Sequence, residues 1–332
     1  MAKKYTEQKT EQKPAEKITP AAGEATYEEV KKEHRLYFNI VKRRYIWFAI
    51  SLLFLIPGII SLFVQGLNLG IDFKGGSMFD ITFNQPVSQS QVSKALDSVG
   101  LSGQVQLSEG NTEVLIRTDV LDDEKRDALL SALETEAGEF DRNNLKEDKV
   151  GPAIGAELQS GAVKALVVAS ILILLYIAFR FRFIFAFSGV VALLHDIFVT
   201  LGIFSIFQWE IDAAFIAAIL TIFGYSINDT VVIFDRIREN EKRLKKRDSF
   251  EEMVDKSVWQ TMGRSIKTSV TVLIALLAIF LLGGDSTRIF SLAMIIGVFS
   301  GAYSSIFIAS QLVIELRNRF GGAGRKNKTV EA

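Results

Sequence analysis

Long runs without charge alternate with short polar stretches over most of the chain. The first run covers residues 45–65, YIWFAISLLFLIPGIISLFVQ. At a rise of about 1.5 Å per residue, roughly 20 such residues form a helix able to cross a hydrocarbon core ~30 Å thick. Five further apolar runs fall at about 161–179, 183–207, 211–234, 262–282 and 289–316. The pattern therefore predicts an α-helical polytopic membrane protein with six transmembrane helices. The first run starts too far into the chain, and is too long, to read as a cleaved signal peptide, so it is expected to be a retained anchor.

Residues 66–159 carry a different period. SMFDITF alternates as a strand does, and VSQSQVSKALDSVG places Val92, Leu96 and Val99 at helical spacing. QVQLSEGNTEVLIRT reads as a hairpin turning at residues 109–111, DDEKRDALLSALETEAG as a second amphipathic helix, and NLKEDKV as a short closing strand. The order βαββα(β) suggests one α+β ferredoxin-like domain of about 90 residues, large enough for its own core. Lying between the first and second spans, it is expected to be extracytoplasmic. Residues 1–35 hold too few large apolar groups to offset ordering entropy and are expected to be a disordered cytoplasmic tail. Residues 235–261 are expected to form a cytoplasmic loop and 317–332 a second cytoplasmic tail.

Charge supplies the orientation. VKRR at 41–44, RFR at 180–182, RIRENEKRLKKR at 236–247 and GRKNK at 324–328 fall on one side of a six-span topology. QWEID and GGDST, on the other side, have no Lys or Arg. Basic loops stay in the cytoplasm, which places both termini there. The whole chain balances 38 Lys and Arg against 38 Asp and Glu, which argues against nucleic acid as a partner. Cysteine is absent, excluding disulfides and thiol chemistry. No phosphate-binding GxxxxGK[ST] run, GxGxxG, nucleophile elbow or HExxH occurs, so neither enzymatic activity, nor a cofactor, nor a metal is expected.

The chemistry is sought in charges within the spans. Asp229, in GYSINDTVVIFDRIREN at 224–240, lies roughly 25 Å along the fourth span, where an ionised Asp costs up to about 2.5–3.5 kcal/mol. Tyr225 and Arg236 share its face, and Asn228 adjoins it. Antiparallel neighbours bring Arg264, early in the fifth span, to a similar depth, so an Asp229–Arg264 pair is expected; the competing reading makes Arg264 a snorkelling anchor. A carboxyl in a poorly hydrated site holds its proton and a nearby cation favours release, so motion that changes their separation couples protonation to conformation. His195 and Asp196 form a second candidate relay. Neighbours on a helix project about 100° apart, however, and are not expected to act as one site. Gly70, Gly75 and Gly76 flank the junction of first span and domain and suit a tight turn or hinge. The last span repeats small residues at Gly297, Gly301, Ser305 and Ala309, which favours close packing within the chain over a partner interface.

Four segments, GIDFKGG at 70–76, VGPAIGAEL at 150–158, ALLHD at 192–196 and the 224–240 stretch, resemble signature segments of the SecF family of protein-export membrane proteins. With SecD, that family belongs to the resistance-nodulation-division (RND) superfamily. The resemblance implies an RND-like half with six spans, partnership with SecD, and joint action with the SecYEG translocon on a translocating polypeptide, driven by the proton motive force without a cofactor. It assigns proton transport to Asp229 and Arg264, and capture and release of the emerging chain to the external domains. Two alternatives stay open: half of an RND-type solute or lipid exporter, and a passive translocase scaffold.

Overall fold

The structure, a computed structural model, describes residues 26–34, 37–108, 110–244 and 248–320. Residues 1–25, 35–36, 109, 245–247 and 321–332 lie outside the described residues.

The described residues up to Phe38 belong to one unit and those from Asn39 onward to another. The first contains a helix, α1 (Tyr27–Glu33), inside the stretch expected to be disordered. The averaged composition hides a local signal there. Thr26 and Glu29 form a reciprocal capping box, with Glu28 in the first turn and Lys31 and Lys32 in the last, as the helix dipole favours.

In the second unit the long helices are α2 (Arg44–Val64), α6 (Pro152–Arg180), α7 (Phe183–Phe207), α8 (Ala213–Glu241) and α9 (Phe250–Leu282). The last span is α10 (Asp285–Ser304), continued by a π-helical turn at Ser305–Ala309 into α11 (Ser310–Phe320). Six helices among the described residues are long and apolar enough to cross a membrane. Two of them begin well before their apolar runs. Pro152 pre-sets the first turn of α6, and Ser249 caps α9 by accepting from Glu252 N–H, so both project polar turns beyond the apolar segment.

Helices α7, α8 and α10 are the most enclosed, and α6 is almost wholly exposed. The small-residue stripe explains the tight inner contact. Gly297 faces Ile222, an added Cβ on Gly301 would lie 3.1 Å from the Ser226 Cβ, and Ser305 meets the Thr230 hydroxyl at 2.7 Å. The stripe is therefore spent on α8, inside the chain. Elsewhere α2 crosses α7 at Gly58 and Gly202, where a Cβ on Gly202 would lie 2.7 Å from the Gly58 Cα.

The intervening domain is a four-stranded antiparallel sheet of β2 (Gly76–Thr82), β3 (Gly103–Leu107), β4 (Glu113–Thr118) and β5 (Lys146–Val150), in the order β3-β4-β2-β5. Phe79 and Ile81 of β2 point inward, as the alternation of SMFDITF requires. They share a core with Val114 and Ile116 of β4, Val92 and Leu96 of α4 (Gln89–Ser98), and Leu129 and Leu133 of α5 (Asp123–Glu136).

Two short elements tie the sheet to the bundle. Strand β1 (Asn68–Leu69) pairs in parallel with β6 (Glu210–Ile211), between α7 and α8. The single turn α3 (Ile71–Lys74) then leads into Gly75 and Gly76, whose φ values of 77° and 148° suit glycine alone. This junction is enclosed on several sides. A Cβ on Gly76 would lie 2.6 Å from Thr118 O, one on Gly75 3.0 Å from Pro152, and one on Gly155 2.9 Å from Gly75 N. Two of the sequence segments, GIDFKGG and VGPAIGAEL, thus meet backbone to backbone.

Candidate functional site

Helix α8 carries the central carboxylate, and its N-terminus is fixed twice. Asp212 caps it, accepting from Phe215 N–H at 2.8 Å, and Asp72 of α3 accepts from Ala213 N–H at 2.9 Å. The junction between span and domain is thereby attached to the helix that holds Asp229.

Asp229 is partly buried against α9. Ser265 Oγ donates to its Oδ1 at 2.5 Å, while Oδ2 is buried without a hydrogen-bond partner. The expected contact with Arg264 is absent at ion-pair range: among the described residues, no salt bridge joins the two. Adjacent residues on α9 diverge by about 100°, and the fully buried Ser265 is the one aimed at α8. Arg264 is exposed and lines a cavity of about 400 Å³ with Val232, Asp235, Arg236, Glu239, Gln260 and Thr261.

The supporting residues disperse. Tyr225 donates to Ser269 at 3.2 Å, and Arg236 reaches Gln260 at 2.8 Å and Glu239 at 2.7 Å, away from the carboxylate. Asn228 lies on the outer face of α8, exposed with Thr221 and Gly224. On α9 the exposed Arg264 is joined by Lys267 and Thr268. Lys267 was passed over in the sequence, although a lysine within an apolar run is itself a signal.

His195 and Asp196, expected to act apart, are in contact: His195 Nδ1 lies 3.0 Å from Asp196 Oδ1. Their Cβ atoms diverge, but rotation about the side-chain torsions folds the imidazole back onto the carboxylate. Asp196 is fully buried and also accepts from Ser226 at 2.6 Å, Ser300 at 2.8 Å and Ser304 at 2.8 Å, linking α7 to α8 and α10. Ser300 and Ser304, four apart in a stretch without Asp, Glu, Lys or Arg from Ile289 to Ile314, are the sequence signal for this cluster.

A third cluster lies where the sheet meets the bundle. Arg117 of β4 forms an ion pair with Glu210 of β6, whose side chain also covers Gly70. Burial first, then the neighbouring Asp212 and Asp72 carboxylates, hold Glu210 above the usual carboxylate range against the opposing pull of Arg117. Burial raises Asp212 as well. A carboxyl raised on folding contributes stability that is fully present below its unfolded value and is lost as pH rises through the folded one. The β1–β6 amides are therefore expected to lose protection, measured against the intrinsic base-catalysed exchange rate, as the pH rises from mildly acidic to neutral. Glu210→Gln should flatten that dependence; an unchanged slope would assign it elsewhere.

A family model described as protein export membrane protein SecD/SecF, C-terminal, matches residues 130–319, and the SecD/SecF GG motif matches residues 60–87. A protein translocase subunit SecF from Sebaldella termitidis is 45% identical over 305 residues, covering 88% of this chain and 98% of the relative. The chain belongs to the SecF family. A second SecF, from Acidaminococcus fermentans, is 43% identical, covering 85% of this chain and 98% of its own length. The crystal structure of SecDF, a translocon-associated membrane protein from Thermus, superposes with a TM-score of 0.78 at 36% identity, over 86% of this chain. This chain spans 39% of that SecDF chain. The matched GG segment contains Asp72, Gly75 and Gly76, and the SecD/SecF C-terminal segment contains Asp196, Asp229 and Arg264.

Proposed function

We propose that this chain is the SecF subunit of a SecDF complex in the plasma (inner) membrane, with both termini cytoplasmic, and that protonation at Asp229 drives movement of its external domain. In this reading it assists SecYEG in moving a polypeptide outward, powered by the proton motive force. The observation that carries it is the half-satisfied carboxylate of Asp229, with one oxygen on Ser265 and the other buried without a donor. A proton fills that vacant acceptor position without rearranging the helices. The cavity lined by Arg264, Asp235 and Glu239 extends about two to three turns further along α8 and suits proton exchange with water. One charge moved through 100 mV yields about 2.3 kcal/mol, so a few protons per cycle match the separation of a modest domain contact.

Three further features support the reading. The exposed Thr221, Gly224, Asn228, Arg264 and Lys267 leave polar and cationic groups on a spanning surface, which a SecD helix bringing a carboxylate would cover. The outer faces of α2 and α6 suit membrane lipids. In chain order the sheet reads 2-3-1-4 with one helix after each of its first and third strands, which favours the ferredoxin-like assignment.

A cleft of about 910 Å³, lined by Gln104, Gln106, Arg117, Gln208 and Trp209, favours a second reading as half of a solute or lipid exporter. Export into sealed vesicles, with and without an imposed proton gradient, separates the possibilities. Arg264→Met should remove the gradient-dependent increment while membrane insertion persists. A wild-type increment would support a passive scaffold, and gradient-driven solute efflux would support the exporter.

A further inference from the structure

We propose that His195 is a second proton-binding site of the bundle, with Nε2 as its basic atom and Asp196 as the residue that orients it. Asp196 is fully buried, its two oxygens accept from three serine hydroxyls, and His195 Nδ1 lies 3.0 Å from Oδ1. Three hydroxyl donors around one carboxylate match its ionised, acceptor-only form, and the imidazole nitrogen beside it faces an acceptor. Nδ1 must then carry a hydrogen, which leaves the lone pair of the neutral imidazole on Nε2. That atom is buried and has no hydrogen-bond partner, in a side chain only 7% exposed.

A purely structural role does not require this arrangement. The three serines alone tie Asp196 to α8 and α10, whereas the imidazole adds one bond and leaves an orphaned basic nitrogen in the core. Its surroundings are otherwise neutral. From α10, Tyr303 stacks on the imidazole with centroids 6.1 Å apart, and its hydroxyl donates to the Trp47 carbonyl of α2 at 2.8 Å and receives Ser51 at 3.4 Å. From α8 only Ser226 enters the cluster, and among the described residues no Lys or Arg forms an ion pair with Asp196. A proton from water forms an N–H bond at Nε2, and the resulting imidazolium is balanced by the adjacent carboxylate. The site is separate from Asp229 and bridges helices on both sides of α7.

The chain has only two histidines, His34 and His195, so His34→Gln leaves one imidazole to observe. Nitrogen-15 NMR of that full-length variant, histidine-labelled and in lipid vesicles, reads the tautomer and the titration directly. The expected result is a neutral ring protonated on Nδ1 that gains a second proton, on Nε2, as the pH is lowered. Asp196→Asn should change its proton affinity at least about tenfold, and Ser300→Ala, which removes one donor and tests the same coupling if the first variant fails to insert, by a smaller factor. A ring that keeps one state as the pH is lowered, carries its neutral proton on Nε2, or titrates identically in the inserted variants would overturn the assignment. Export assays are not involved, so failure here leaves the role of Asp229 standing, and the reverse also holds.

Discussion

Asp229→Asn should reduce polypeptide export in sealed vesicles to the rate seen without a proton gradient, while the protein inserts and unfolds as the wild type does. The substitution separates chemistry from architecture because the amide is nearly isosteric. Its oxygen can still accept from Ser265, and its nitrogen replaces the buried oxygen that has no donor. The exchange puts an amide nitrogen with two N–H donors where an unsatisfied acceptor stood, one unpartnered group for another, so the unfolding temperature should change little. What disappears is the group able to bind and release a proton. Loss of export together with loss of folded protein would make Asp229 structural, and full gradient-dependent export would remove it from the mechanism.

The second large effect concerns the crossing of α2 and α7. Gly202→Leu should lower the unfolding temperature in detergent by roughly 5–10 °C, or prevent accumulation in the membrane, with Gly202→Ala intermediate. A single Cβ there would already lie 2.7 Å from the Gly58 Cα, so even alanine must displace backbone. The helices have little freedom to separate. Ser61 and Ser205 share a hydrogen bond of 2.7 Å about one turn away, and Gln65 donates to Ser205 O at 3.2 Å. Overpacking of this kind costs about 1–3 kcal/mol when neighbours can shift, and more when they are tied. Unchanged melting in Gly202→Leu would mean that α2 does not cross α7 at these glycines.

The spans were readable because hydropathy is a local property: twenty residues without charge need no partner to declare themselves. The strand alternation that buries Phe79 and Ile81 was readable for the same reason. Depth was partly readable too, since the rise per residue brought Asp229 level with the start of the fifth span. Azimuth was not. Whether Ser265 or Arg264 meets Asp229 depends on a rotation of about 100° about the α9 axis, which leaves the hydropathy of the helix unchanged. His195 and Asp196 show the same limit in another form, because backbone projection separated them and side-chain torsions joined them.

The sequence by itself determined six spans, an intervening α+β segment, the segments shared with the SecF family and one carboxylate too deep to be solvated. Only the tertiary structure decided that Asp229 lies on Ser265, that Asp196 gathers three serines from two other helices, and that Asp72 fastens the domain junction to α8. The physical reason is that helix rotation and register are set by contacts between surfaces. Gly297 against Ile222 and Gly58 against Gly202 fix those contacts through the absence of side chains, which contributes almost nothing to a pattern of hydrophobicity.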